Sequence, residues 1–115
     1  MKPFHHLISL ALACAAGLPL AAQAADGDPV AGQGKVSMCI GCHGIGGYKT
    51  AFPEVYHVPK LGGQHAAYIV KALQEYKAGN RSHPSMRAIA ATLSDKDMAD
   101  VAAYYASDAM KSAAK

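Results

Sequence analysis

The chain has 115 residues, and its 11 Lys and Arg against 8 Asp and Glu give a formal net charge of +3. This length corresponds to one small domain, and a charge so near balance does not indicate nucleic-acid binding. The sequence contains no internal repeat, low-complexity tract or run of like charges, so neither a second domain nor a charged disordered arm is predicted.

Residues 1–24 have the pattern of a secretory signal peptide. A short start that carries Lys2 is followed by an apolar run over residues 7–20 and by small residues up to Ala24. We expect cleavage after Ala24, which leaves residues 25–115 as a single domain. The protein is then exported, and its predicted compartment is the periplasm.

The apolar run is too short, and too interrupted by Gly17 and Pro19, for a transmembrane helix, which needs about 20 consecutive apolar residues. Membrane contact is therefore expected only through partner complexes. Cys14 lies within the leader and is lost on cleavage, and the alternative, that it belongs to a lipid-attachment signal, is not preferred.

The first helix of the mature chain is predicted over residues 28–38. Asp28 followed by Pro29 is a helix start signal, because Asp caps free backbone N–H groups and proline fits the first helical position. Gly32 and Gly34 each weaken the helix by about 1 kcal/mol relative to Ala. They indicate a close backbone crossing with another helix, the alternative being a frayed N-terminal arm.

Directly after this helix comes the most informative motif, Cys39-Ile40-Gly41-Cys42-His43, a CxxCH sequence typical of c-type haem attachment. Two thiols at this spacing can each add to one haem vinyl group, while the adjacent imidazole reaches the iron. The sequence therefore predicts one covalently bound haem, held by Cys39 and Cys42 and ligated by His43.

Without haem, the two cysteines would be a redox dithiol or half of a zinc site. The dithiol interpretation is disfavoured because no strand and helix context surrounds the pair. The zinc interpretation is disfavoured because no second pair of Cys or His has ligand spacing.

Two further helices and one helical turn are predicted after a long loop over residues 44–63. Apolar residues recur at helical spacing over 65–78 and again over 94–110, where Ser94 begins an approximate capping box. A short helical turn is predicted over 87–91. No segment alternates with period two over the length of a strand, so the predicted fold class is all-α, with about three main helices and long loops around the haem.

In this order of features the chain resembles the class I cytochromes c, and it is most similar to the bacterial cytochrome c4 and c553 group. Four stretches carry the resemblance beyond CxxCH: Pro-Lys-Leu-Gly-Gly-Gln at 59–64, Tyr-Lys-Ala-Gly-Asn-Arg at 76–81, Leu-Ser-Asp at 93–95 and Ala-Ala-Tyr-Tyr at 102–105. The resemblance covers nearly the whole mature chain. It implies the small cytochrome c fold, one haem c, and a soluble electron-transfer protein rather than an enzyme.

Residue roles follow from the resemblance at the matching positions. It implies thioether bonds from Cys39 and Cys42, with His43 as the proximal iron ligand. It also implies that the Pro59 carbonyl accepts the proton of the other ring nitrogen of His43, which orients the imidazole. The cofactor-binding residues are then Cys39, Cys42, His43, Pro59, Leu61 and Met86, and the metal ligands among them are His43 and Met86.

The resemblance also assigns a packing role to a glycine. Gly32 matches the glycine at which the first and last helices of the family cross, with Tyr104 or Tyr105 as the aromatic residue opposite. The crossing is therefore predicted to join the two ends of the domain.

Several side chains compete for the sixth position on iron: Met38, Met86, Met98, Met110, His57, His65 and His83. Met38 is adjacent to the cysteine pair and cannot reach the opposite haem face, and Met98 and Met110 lie on the apolar stripe of a predicted helix. Met86 lies in the loop before the last helix, where the ligand methionine of the family lies. It is the preferred ligand, and His83 is its main competitor.

With His43 and Met86 both bound, the iron is six-coordinate and suited to passing electrons rather than to binding substrate. The predicted function is a soluble periplasmic electron carrier whose partners are other redox proteins, with donor and acceptor unspecified. Two alternatives stay open: a cytochrome subunit of a larger periplasmic oxidoreductase, and a five-coordinate haem sensor or peroxidase, which requires that Met86 be absent from iron. Six basic residues are candidates for a rim that attracts an acidic partner, with plain solvated charge as the default: Lys35, Lys49, Lys60, Lys71, Arg81 and Arg87.

Overall fold

The computed structural model describes residues 26–52 and 55–107, and within them the chain is mostly helical. The elements follow in the order α1 (Pro29–Gln33), α2 (Ser37–His43), β1 (Lys49–Thr50), β2 (Tyr56–His57), α3 (Ala66–Ala78), α4 (Pro84–Ala91) and α5 (Asp95–Ala106). The predicted all-α fold class is confirmed. The predicted leader, with its cleavage site after Ala24, lies outside the described residues.

A turn between α1 and α2 contradicts the single helix predicted over residues 28–38. The start of α1 is as predicted, since the Asp28 side chain caps it and proline occupies its first turn. The helix ends at its Gly34 cap, and the turn carries Val36 into the core, where it is 4% exposed. Burial of this side chain offsets the helical hydrogen bonds that are lost at the turn. α2 then runs through the whole CxxCH motif, so the cysteines lie within a helix rather than after one.

α1 crosses α5 at a backbone contact so close that it requires glycine. A β-carbon added to Gly32 would lie 2.1 Å from the Asp100 carbonyl oxygen and 2.9 Å from Cβ of Tyr104. The predicted crossing at Gly32 is therefore confirmed, with Tyr104 as the aromatic residue opposite. Gly34 takes no part in it, because the nearest contact of a β-carbon there would be a carbonyl oxygen of α1 at 3.5 Å. The crossing extends instead to Gly27, where a β-carbon would lie 2.0 Å from an α5 carbonyl oxygen.

A buried carboxylate ties the same two ends of the domain together. Asp100 is 1% exposed and accepts hydrogen bonds from the Asp28 backbone N–H and from the Lys35 amine, each at 2.8 Å. Lys96 pairs with the same carboxylate, and Lys35 also lies 2.7 Å from Asp97. The backbone bond from Asp28, followed by the two lysines, holds the pKa of Asp100 well below its usual range. The buried charge is tolerated because these donors compensate for the water it has lost.

A small antiparallel sheet lies in the loop over residues 44–63, where no strand was predicted. Lys49 of β1 lies opposite His57 of β2, and Thr50 lies opposite Tyr56. Strands of two residues are too short to show an alternating pattern, which explains why the sequence did not indicate them. Their pairing directs the chain into the Pro-Lys-Leu-Gly-Gly-Gln stretch.

α3 agrees with the helix predicted over residues 65–78. It spans Ala66–Ala78, with His65 as its N-cap, and Gly79 ends it in the left-handed conformation at φ 85°. His65 makes no side-chain cap hydrogen bond. Ile69 and Leu73, four positions apart on one face, are both buried, so packing of this stripe stabilises the helix.

α4 is longer than the helical turn expected over residues 87–91. It begins three residues earlier, with His83 as its N-cap and Pro84 in its first turn. Proline lacks an N–H and has the φ of a helix, so it starts the helix without leaving a donor unpaired. Met86 therefore lies in the first turn of a helix, and the expectation that it belongs to a loop is wrong.

α5 supplies much of the core. It begins with the predicted capping box, in which the Ser94 and Asp97 side chains each accept a hydrogen bond from the other residue's backbone N–H. Its last residue is Ala106, earlier than the predicted end near residue 110. One apolar cluster joins its buried residues to those of the other helices: Val36, Ile69, Leu73, Ala90, Leu93, Met98, Val101, Ala102 and Tyr105. Among the helices between residues 26 and 107, none is both long enough and apolar enough to cross a membrane.

Candidate functional site

α2 carries the CxxCH motif with its reactive side chains on one face. Cys42 and His43 lie three and four positions after Cys39, and residues at that spacing are neighbours on a helix surface. Cys39 is half-buried against the core, whereas Cys42 is exposed, and both are free thiols. Across the described ranges, no set of three or more His, Cys, Asp or Glu side chains is placed to hold a metal ion, so the zinc interpretation gains no further ligands there.

The ring of His43 is oriented by a carbonyl from another part of the chain. Nδ1 of His43 lies 2.7 Å from the Pro59 carbonyl oxygen, and because a carbonyl only accepts, Nδ1 carries the proton and donates it. Nε2 is then the nitrogen with the free lone pair, which is the form in which imidazole binds a metal. This hydrogen bond, which the resemblance implied, also makes Nε2 more basic.

The segment that supplies Pro59 is anchored to α5. The Gly63 N–H donates to the Tyr105 carbonyl at 3.0 Å, and the Gln64 N–H donates to the Leu61 carbonyl at 3.0 Å. Gly63 has φ 86°, a conformation that glycine adopts without strain. Leu61 packs against the core cluster. The anchored loop therefore holds Leu61 at the edge of the core and limits the movement of the Pro59 carbonyl two residues before it.

The Cys39 thiol faces a buried hydroxyl. Tyr105 is 1% exposed, and within the part of the chain that the structure describes its hydroxyl has no hydrogen bond of regular geometry. Burial raises the pKa of the Cys39 thiol, and the neighbouring Tyr105 hydroxyl lowers that pKa by less. Burial, and secondarily Cys39, raises the pKa of Tyr105. A thiol whose pKa is raised stays protonated at neutral pH, unlike the activated thiolate of a redox dithiol.

Met86 lies at the edge of the core, at the start of α4. It is half-buried and packs against the core cluster. Its backbone N–H donates to Nδ1 of His83, 3.4 Å away, as the cap of the helix. The His83 ring also meets the ring of Tyr56 edge to face, with centroids 5.2 Å apart and planes at 70°. His83, the main competitor for the iron, is thus already engaged by two neighbours.

Sequence reasoning missed these two contacts of His83. A signal for the cap was available, because His83-Pro84 repeats the arrangement of Asp28-Pro29 at the start of α1. No sequence signal indicated the ring contact with Tyr56, since the two residues are far apart in the chain and belong to different elements.

Large apolar side chains are exposed in the stretch that contains the motif and the sheet. Their exposed fractions run from 47% for Met38 to 86% for Phe52. The exposed apolar residues of this stretch are Met38, Ile40, Ile45, Phe52, Val55 and Tyr56. These exposed side chains belong to the stretch over residues 38–57 and are available to contact a bound apolar group. Together with two free thiols and the oriented imidazole of His43, they fit a flat apolar group that is attached through sulfur and contains a metal.

Three of the six candidate rim residues are engaged within the protein. Lys35 pairs with carboxylates of α5, Lys71 lies 2.6 Å from Glu75, and the Arg81 guanidinium lies over the Tyr76 ring at 4.8 Å from its centroid. Lys71 lowers the pKa of Glu75, which is the ordinary effect of a neighbouring opposite charge. Lys49, Lys60 and Arg87 form no ion pair with any residue that the structure describes, and they remain candidates for the rim.

Residues 24–107 match the family model described as Cytochrome c. Cytochrome c4 from Pseudomonas aeruginosa is 42% identical over 104 residues, which cover 90% of this chain and 48% of that protein. Cytochrome c-554(548) from Halomonas halodenitrificans is 40% identical over 84 residues, which cover 70% of this chain and 96% of that protein.

A third similar protein is the thiosulfate dehydrogenase electron acceptor from Stutzerimonas stutzeri. It is 39% identical over 107 residues, which cover 90% of this chain and 47% of that protein. The chain therefore spans about half the length of this protein and of cytochrome c4, and nearly the full length of cytochrome c-554(548).

Proposed function

Because the chain belongs to the cytochrome c family, as a class I c-type cytochrome of the c4 group, we propose that it transfers electrons and that His43 and Met86 bind the haem iron. Membership of this family implies covalently bound haem c, and Cys39 and Cys42 have the spacing of the CxxCH motif. The bound haem supplies one-electron Fe(II)/Fe(III) chemistry. The observation that carries the proposal is the hydrogen bond between His43 and Pro59, because it leaves Nε2 of His43 free for the metal.

The thiols and the anchored loop have separate roles in this proposal. Cys39, half-buried against the core, and Cys42, exposed on the same face of α2, would each form one thioether bond. The Pro59 carbonyl keeps the His43 ring in one orientation, and Leu61 supplies an apolar contact at the edge of the core. In this proposal the role of all four residues is to hold the cofactor.

Met86 is the second residue proposed to bind the iron. Its half-buried position in the first turn of α4 supports this role, and its thioether is a soft donor that favours ferrous iron and raises the reduction potential. Three competitors either have other contacts or lie beside the cysteines. Nδ1 of His83 accepts the Met86 N–H, Met98 is 0% exposed within the core, and Met38 belongs to the same helix as the cysteines.

With both His43 and Met86 bound, the iron would have no open position for a substrate or a gas. The proposed pair of His43 and Met86 therefore separates an electron carrier from the five-coordinate sensor or peroxidase, which needs that position. The His43 ring and the Met86 backbone are each held by a hydrogen bond, which supports both residues as candidates for the iron.

The test is the visible spectrum of the holoprotein, purified from cells that attach haem to exported proteins. We expect the weak red-edge band of methionine bound to ferric haem, and we expect Met86→Ala to abolish it. Met38→Ala is the matched control, because Met38 is 47% exposed and is expected to leave the band intact. A wild-type protein with covalent haem but without the band would reject Met86 as the ligand and favour the sensor or peroxidase.

A second candidate is a cytochrome subunit of a larger oxidoreductase. The observation that favours it is the similarity to a protein named thiosulfate dehydrogenase electron acceptor, whose name places it beside an enzyme. Size-exclusion chromatography of an unpurified extract of the native host, followed by haem staining, distinguishes a free carrier from a subunit of a complex. Elution as a small monomer supports a free carrier, and elution with a larger protein at high ionic strength supports a stable subunit.

We also propose that residues 1–24 direct export and are removed. The charged start, the apolar run and the small residues up to Ala24 support this. The intact mass of the purified holoprotein tests it, with a chain beginning at Ala25 and carrying one haem as the expected result. Recovery in the periplasmic fraction tests the compartment.

A further inference from the structure

α3 and α4 both begin at a histidine, but only one of the two rings caps its helix. His65 makes no side-chain cap hydrogen bond, whereas Nδ1 of His83 accepts the Met86 N–H at 3.4 Å. His83 has an extended backbone, with φ −166° and ψ 111°, which turns its ring back over the first turn of α4. The N–H that this ring receives belongs to the residue that we propose as the sulfur ligand.

The ring of His83 is itself held by Tyr56. The two rings meet edge to face at 5.2 Å between centroids, an arrangement that aromatic rings favour. Tyr56 belongs to β2, and its backbone is paired with Thr50 of β1. The small sheet therefore limits the positions that the His83 ring can take.

The same short segment reaches the other proposed ligand. Tyr56 contacts His83, and Pro59, three residues later, accepts the Nδ1 proton of His43 at 2.7 Å. One stretch of chain after β1 thus contacts the ring that caps Met86 and the ring of His43.

We propose that His83 is a positioning residue for Met86, and that Tyr56 holds it in place. This inference rests on the proposed ligation of iron by His43 and Met86. The His83 ring fixes the Met86 backbone in the first turn of α4, so the thioether is held where it can ligate. Without the cap, the first turn frays and external ligands replace the thioether more easily. The role is distinct from that of a sixth ligand, which His83 was considered for from sequence.

The experiment measures how tightly imidazole binds ferric holoprotein, because imidazole must displace Met86 from the iron. His83→Phe keeps an aromatic ring against Tyr56 but has no acceptor, and His83→Asn keeps an acceptor but has no ring. Loss of a Ser, Thr, Asp or Asn N-cap typically changes a folding equilibrium constant about fivefold, and the His83 ring fills the same position. We therefore expect His83→Phe and His83→Ala to bind imidazole about fivefold more tightly, and His83→Asn to stay within about twofold of wild type.

Two controls separate positioning from general loss of stability. His65→Ala removes the histidine that does not cap, and Ser94→Ala removes the capping box of α5, which lies away from Met86 in sequence. Both are expected to leave imidazole affinity within about twofold of wild type, although Ser94→Ala lowers the unfolding midpoint. The red-edge band, followed during heating, is expected to disappear at a lower temperature in His83→Phe than in His83→Asn.

The outcomes are separable. Unchanged imidazole affinity in both His83→Phe and His83→Ala overturns the inference, as does an equal shift in Ser94→Ala. If His83→Ala does not retain haem, the imidazole affinities of His83→Phe and His83→Asn still test the inference, because both variants keep a large side chain. A wild-type protein that lacks the red-edge band rejects the proposed ligation itself, whereas a normal wild-type band with unaltered variants rejects only the role of His83.

Discussion

Gly32 and the backbone carbonyl of Asp100 are in direct contact, so that a β-carbon on Gly32 would lie 2.1 Å from the carbonyl oxygen. The side chain of the same Asp100 accepts hydrogen bonds from Asp28 and Lys35 on either side of that glycine. α1 is thus joined to α5 at Asp100, both through backbone packing and through the buried charge of its side chain. α2, which carries the haem-binding motif, follows this junction after a single turn.

Gly32→Ala is expected to destabilise the holoprotein by about 2–3 kcal/mol, because two helix backbones must separate to admit the methyl group. Gly34→Ala is the matched control. Gly34 has φ −70°, and a β-carbon there would meet only ordinary contacts. We therefore expect no loss of unfolding free energy in this variant, and a gain of up to about 1 kcal/mol from helix propensity. Guanidinium unfolding followed by circular dichroism measures both. Equal stability of the two variants would contradict the close crossing.

Asp100→Asn is expected to remove part of the acid sensitivity of the fold. The pKa of Asp100 is lowered in the folded state, so its contribution is complete above its unfolded pKa of about 3.8 and declines as the pH falls towards the folded value. The difference in unfolding free energy between wild type and Asp100→Asn should therefore shrink below about pH 4.

Unfolding free energies at several pH values between about 3 and 6 measure this difference, and the haem propionates cancel in it because both proteins carry them. Asp97→Asn is the companion variant, since the pKa of Asp97 is also lowered, first by Lys35 and then by Ser94. Curves that stay parallel down to pH 3 would show that the Asp100 carboxylate is not stabilised by folding.

Lys77→Met is expected to cost about 1 kcal/mol of unfolding free energy, because the Lys77 amine donates to the Leu93 carbonyl and connects α3 to the turn before α5. The control is Lys71→Met on the same helix, which removes only an exposed ion pair with Glu75 and should cost less than about 0.5 kcal/mol. Chemical unfolding of both variants measures the contrast. A larger loss of unfolding free energy in Lys71→Met than in Lys77→Met would show that the bond to Leu93 is not what stabilises α3.

Tyr105→Phe is expected to leave stability unchanged or to raise it by up to about 1 kcal/mol. The Tyr105 hydroxyl is buried beside Cys39 and has no regular hydrogen bond to any described residue. Its removal therefore relieves a desolvated polar group and keeps the ring in the core. Thermal unfolding of the holoprotein measures the effect. A loss of more than about 1 kcal/mol would indicate that the hydroxyl gains a hydrogen bond once haem is attached.

Features that depend on a few neighbouring residues were predictable. The CxxCH spacing indicated the cofactor, the caps Asp28 and Ser94 marked helix starts, and the stripe over residues 65–78 located α3. Each rests on hydrogen bonds or periodicity within one or two helical turns, so a local pattern contains the necessary information. The roles of Pro59 and Met86 came from resemblance to a family, and they remain proposals.

Other features depend on residues that meet only after folding. The turn at Val36 exists because a core formed by α3 and α5 buries that side chain, and the lysine that precedes it pairs with a carboxylate 65 positions away. A sequence pattern cannot show which distant segments come into contact, since the energy of such contacts depends on how all helices pack. For the same reason the contact between Tyr56 and His83, and with it the support of Met86, became visible only when the sheet and α4 were placed together.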